Sequence, residues 1–151
     1  MRKVHVLGLD ALASRGSSEG PCSRELPVCV PFTTSDLTKA ALNAAVALTR
    51  NLGARVSLVA VLIVPFPLPL DRPTVSPRVI EHELQAVARD IELELDARVV
   101  IARDRKEAFH RAISPGSLVV LATKKRRWPT RQVKLARLLA RAGHSVAVLE
   151  I

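Results

Sequence analysis

With 151 residues, 48% of them hydrophobic and 25% charged, the chain is long enough for one domain with its own core, and its composition excludes disorder. Aromatic residues are few (Phe32, Phe66, Phe109 and Trp128, with no Tyr), which excludes a many-ringed platform for stacking bases. The formal charge of +9 is local: Lys124, Lys125, Arg126, Arg127, Arg131, Lys134, Arg137 and Arg141 stand against Glu150 alone in 124–151, giving +7, while 1–25 and 26–123 carry +1 each. Such a field attracts anions: phosphate, nucleic acid, an acidic partner or an anionic membrane surface.

Residues 1–25 read as an N-terminal arm or linker, with one short extra strand in Lys3–Leu9 and a Ser/Gly-rich stretch from Ser14 to Arg24. His5 and Asp10 interrupt the apolar run that a signal peptide needs. Cys22 and Cys29 make neither a disulfide framework nor a metal site, and Cys29 reads as a small buried hydrophobe. Leu26–Phe32 is the first core strand. Thr33, with Asp36 three residues on, suits a helix N-cap. Leu37, Ala41, Ala44, Leu48 and Leu52 then recur at helical spacing, and Gly53 ends the helix. Arg55–Val64 is a β-branched second strand, so 26–64 forms a right-handed βαβ unit.

Five prolines (65, 67, 69, 73 and 77) make 65–77 a connection. Val56–Leu70 is apolar but shorter than the about 20 residues that span a bilayer, so the chain reads as soluble and cytoplasmic. Ser76-Pro77 opens a second helix with Ile80, Leu84, Val87, Ile91 and Leu95 inward, and Glu81, Glu83, Arg89, Asp90, Glu92 and Glu94 outward. Glu81, His82 and Glu83 diverge by about 100° per residue around a helix, so they assemble no metal site. Ala97–Ala102 is the third strand. A short helix over Asp104–Ile113 follows, with Ala108, Phe109, Ala112 and Ile113 inward and His110 at the surface. Leu118–Ala122 is the fourth strand, apolar throughout as when both faces are covered. It runs directly into Lys124–Arg127. Trp128 is expected to pack against the sheet. Thr130 caps a last helix to Ala142, Gly143 ends it, and Ser145–Ile151 is the fifth strand.

Strands alternating with helices give an α/β fold: a three-layer, doubly wound, five-stranded parallel sheet. Such sheets bind ligands at the carboxyl ends of the strands where the order reverses. For order 3-2-1-4-5 the loops at that point are Thr33–Asp36 and Thr123–Pro129.

The passages VCVPFTTSD, ALNAAVALTRNLGARVSLVAVLIV, LVVLAT and ARLLARAGHSVAVLEI together resemble the universal stress protein family over residues 26–151. The helix-to-Gly-Ala-Arg-to-strand passage is the most specific part. The resemblance implies the flavodoxin-like, adenine nucleotide alpha hydrolase-like sheet of order 3-2-1-4-5, and a homodimer through the last strand. It also implies ATP held by an Asp at the end of strand one and by a signature G-x2-G-x9-G-S/T after strand four. Here Phe32 and Thr33 stand at the Asp, Lys124 and Lys125 stand where glycines are usual, and no glycine lies between Gly116 and Gly143. Glycines let backbone amides approach phosphate closely, and side chains block that approach.

The expectation is a non-enzymatic regulatory domain of the stress response, dimeric, with an altered or lost ATP site. Its candidate anion-binding residues are Thr33, Thr34, Ser35, Thr123, Lys124, Lys125, Arg126 and Arg127. The ligand class is ATP or another phosphorylated anion. The alternative is binding of nucleic acid or another polyanion through the basic loop and the stripe Arg131, Lys134, Arg137 and Arg141. A third reading, an adenine-nucleotide hydrolase using Thr33, Ser35, Asp36 and Thr123, has no residue that fixes a general base. No catalytic residue and no metal ligand is assigned.

Overall fold

The computed structural model describes residues 4–8, 26–50, 52, 54–91 and 95–151, the first of these by backbone only. The Ser14–Arg24 linker, Cys22, the Gly53 helix stop, and Glu92 and Glu94 lie outside the described residues. The elements are β1 (Val4–Gly8), β2 (Pro27–Pro31), α1 (Ser35–Thr49), β3 (Arg55–Ile63), α2 (Pro77–Arg89), β4 (Asp96–Ala102), α3 (Arg105–Ala112), β5 (Leu118–Thr123), α4 (Arg131–Arg141) and β6 (Ser145–Glu150).

The strands form one parallel sheet of order β1-β4-β3-β2-β5-β6. Strands β2 to β6 are the five read from the apolar runs, and they stand in the order 3-2-1-4-5. Strand β1 extends that sheet beyond β4, from Val4 opposite Ala97 to Gly8 opposite Ile101. The inner strands are apolar on both faces because helices cover both. Val28, Val30, Leu58, Ala60 and Val120 pack with Leu37, Leu42 and Ala45 of α1 and Leu84 and Val87 of α2. Cys29, Val59, Val119 and Leu121 point the other way, to Phe109 of α3 and Leu135 and Leu139 of α4. Alternate residues of one strand thus feed two cores.

Helix boundaries follow capping chemistry. Thr34, not Thr33, is the N-cap of α1, and its Oγ1 accepts from the Leu37 amide. The Thr33 amide instead donates to Thr38 Oγ1 at 3.1 Å, which shifts the cap by one residue. The buried face of α1 is Leu37, Thr38, Ala41, Leu42, Ala45 and Thr49. It is rotated from the face expected, so Leu48 and Leu52 are exposed. A 3.6-residue period permits either apolar set, and the crossing of α1 over the sheet selects one. Helix α2 stops at Arg89, where the Ile91 amide turns tightly back to Ala88 O. Ile91 and Leu95 reach the core from beyond the helix end. Gly143 follows α4 with φ +94, a left-handed position suited to glycine.

Candidate functional site

In a parallel βαβ unit, each helix begins where the preceding strand ends. The first turns of α1, α3 and α4 therefore gather at the carboxyl edge of the sheet. Strand β2 ends with the Phe32 amide bonded to Val59 O at 2.7 Å, and β3 runs on past it. Above this step lies a cavity of about 340 Å³. Its walls are Phe32, Thr33 and Thr34 after β2, Ala60 and Val61 of β3, Ile80 and Glu83 of α2, Arg105 and Phe109 of α3, and Arg131, Gln132 and Leu135 of α4. Helix α2 covers one face of the sheet and α3 and α4 the other, so a cavity that touches all three straddles the sheet edge. Its size falls in the range of small-molecule sites, roughly 300–1,000 Å³.

The electrostatics favour an anion. Arg105 and Arg131 are the first residues of α3 and α4, directly after the caps Asp104 and Thr130. A helix N-terminus carries partial positive charge, so a cation is locally unfavourable there and an anion favourable. Two arginines at two such positions, both exposed and both in one wall, add their charge to the two helix ends. Glu83 supplies the opposing charge in the wall. Cys29 contributes no nucleophile: it is 3% exposed, and burial pushes its thiol up to about 12. Among the described residues, no three His, Cys, Asp or Glu side chains gather in a metal-ligating group.

No protein-family model matches the sequence, and no curated protein matches it. Solved structures do match. A universal stress protein in complex with cAMP aligns at a TM-score of 0.54 and 14% identity, over 82% of this chain and 96% of that one. A universal stress protein from Archaeoglobus fulgidus aligns at 0.54 and 16%, over 82% of this chain and 92% of that one. The chain has the universal stress protein fold.

Within this universal stress protein fold, the sequence-derived site residues divide into two groups. Thr33, Thr34 and Arg131 line the cavity. Ser35 is exposed at the start of α1 and is not in the cavity wall. Thr123 is buried, with its Oγ1 2.7 Å from Thr130 Oγ1, and Thr130 Oγ1 also accepts from the Val133 amide. That bond closes the neck of the 124–129 loop. The Ile151 amide donates to Thr123 O, and the Lys125 amide to Ile151 O, so the loop is also tied to β6. Lys124, Lys125, Arg126 and Arg127 are all exposed, and none lines the cavity.

Trp128 corrects the sequence reading. It is 80% exposed and does not pack against the sheet. The neck bond turns the loop outward, and Leu135, Ala136 and Leu139 already fill that side of the core. Arg105, Glu83 and Gln132 are further wall residues. The place of Arg105 directly after the cap Asp104 is a local sign of its position at the carboxyl edge. Glu83 and Gln132 had no local signal.

No helix among the described residues is long and apolar enough to cross a membrane. The proline-rich connection is held from below by Arg103. Its guanidinium lies 4.3 Å from the Phe66 ring centroid and donates to the carbonyls of Val64, Pro65 and Leu68.

Proposed function

We propose that the chain is a non-enzymatic regulatory domain of the stress-response type that binds a small phosphorylated anion in an altered nucleotide site and acts as a homodimer. The observation that carries this reading is the pair of N-terminal helix arginines, Arg105 and Arg131, in one cavity at the carboxyl edge of the sheet. Guanidinium heads hold phosphate from the ends of long side chains, through charge-assisted and often bidentate bonds. They replace a glycine cradle, which the segment between Gly116 and Gly143 lacks. In P-loop proteins a backbone cradle serves the β- and γ-phosphates of the nucleotide, so the reading favours a ligand with a single phosphate. That one protein of the same fold was solved with cAMP makes cAMP the first probe.

Calorimetric titration tests the ligand clause. We expect cAMP to bind and ATP to show no micromolar, magnesium-dependent binding. Tight magnesium-dependent ATP binding would sink the altered-site reading.

The dimer clause rests on β6. Among the described residues it is an edge strand of the sheet, with Val148 43% and Leu149 38% exposed and Ile151, just beyond it, 54% exposed. An open edge with apolar side chains is a template for pairing with a second copy. In sedimentation velocity the wild type should run as a dimer and Leu149→Asp as a monomer. A monomeric wild type at high micromolar concentration contradicts the clause.

A further inference from the structure

The cavity absorbs only Arg131 of the cationic C-terminal segment. Lys124, Lys125, Arg126, Arg127, Lys134, Arg137 and Arg141 remain, all exposed. None of the segment's eight cations makes an ion pair among the described residues, whose salt bridges include Lys39–Asp90, Arg98–Asp96 and Arg111–Glu107. Helix α4 turns Leu135, Ala136 and Leu139 into the core. Lys134, Arg137 and Arg141 therefore lie on the opposite side, in a stripe about 10 Å long at 1.5 Å rise per residue, with Arg131 one turn before it and turned toward the cavity. In the loop that leads into that helix, between Arg127 and Arg131 in the chain, Trp128 is 80% exposed.

We propose that this surface binds single-stranded nucleic acid, with the loop and α4 cations along the phosphates and Trp128 stacked on an unpaired base. Unpaired cations in a line match a polyanion by charge and shape. An exposed ring beside them supplies what charge alone lacks, a face for a base, and any base has one. A duplex hides its base faces within the stack, so the indole selects single strands. A lipid surface fits less well. An interfacial helix inserts an apolar face of its own, whereas the apolar face of α4 is already in the core. This inference does not depend on the cavity: Trp128 and Arg137 are outside its wall.

The test uses the full chain and a labelled oligothymidylate or oligouridylate of about 16 nucleotides, the upper end of single-domain site sizes. Trp128 is the sole tryptophan, so its own fluorescence reports stacking. We expect quenching on binding. We also expect affinity to fall about a thousandfold between about 50 and about 200 mM salt if all eight cations are engaged. By anisotropy, Trp128→Ala should weaken binding by about 5- to 150-fold, the range of one base–aromatic stack. Arg137→Glu with Arg141→Glu should weaken it and flatten the salt dependence. Both sites are exposed, so folding is preserved. The proposal is overturned if oligonucleotides do not bind at low salt. It is equally overturned if they bind without quenching and with the same affinity for Trp128→Ala. Phosphatidylserine vesicles that shift the tryptophan emission while oligonucleotides leave it unchanged would make the surface a membrane contact instead.

Discussion

Leu58→Ala is expected to destabilise the domain by about 2–5 kcal/mol, seen as a large fall in the urea midpoint. Leu58 is fully buried in β3, with Val30 of β2 and Ala97 of β4 beside it in register. Its core includes Leu42 of α1 and Leu84 of α2, both also fully buried. Hydrogen bonds to strands on both sides hold the backbone in place, so the surroundings cannot collapse into the space left. The cavity then adds to the lost transfer free energy. Since domains are stable by only about 5–15 kcal/mol, this one change removes a large share of the total. Leu48→Ala is the control. Leu48 belongs to the apolar spacing read from sequence yet is 51% exposed, so its loss should stay within about 0.5 kcal/mol. Equal midpoints for the two variants would mean that the core faces are misassigned.

On the proposed function, with cAMP as the probe, Arg105→Ala and Arg131→Ala are each expected to weaken binding in the cavity by about 10- to 150-fold, the worth of a hydrogen bond to a charged group. Each change removes a guanidinium from the first turn of a helix, where an anion also meets the helix end. Lys106→Ala separates this from general charge. Lys106 is exposed beside Arg105 but does not line the cavity, and solvent and salt screen its field, so its affinity should stay close to that of the wild type. Titration calorimetry on the three variants decides the matter. Unchanged affinity in both arginine variants would place the ligand elsewhere. Arg105 also keeps the two surfaces distinct, because it belongs to the cavity and not to the nucleic-acid stripe. Trp128→Ala is the converse, leaving the cavity intact.

Arg131 lies in the cavity wall and next to the top of the α4 stripe. Ligand in the cavity and a strand along α4 would therefore compete for one guanidinium, or share it.

Much of this architecture is written locally. The runs at 27–31, 55–63, 96–102 and 118–123 are strands because each carries apolar residues on both sides of the pleat, which calls for cover on both faces. Asp104 and Thr130 cap the helices that follow them because each side chain accepts the amide three residues on, at Glu107 and Val133. Ser76 precedes α2 without a side-chain bond, and Pro77 alone sets the start. The lack of glycine between Gly116 and Gly143 was also plain in the residue order. These features depend only on neighbours a few positions away.

Residue order alone thus sets the succession of strands and helices, the concentration of cations after β5, and the lack of a glycine cradle. Where those cations stand depends on packing. Helix crossing and strand stagger bring Glu83, Arg105 and Arg131 from three helices to one cavity, although nothing in their local spacing relates them. The Thr123–Thr130 bond turns Lys124–Arg127 and Trp128 away from that cavity, although they follow the strand that leads toward it. Periodicity records which side of an element is apolar. It does not record which partner that side meets, or which polar side chains converge when the elements pack.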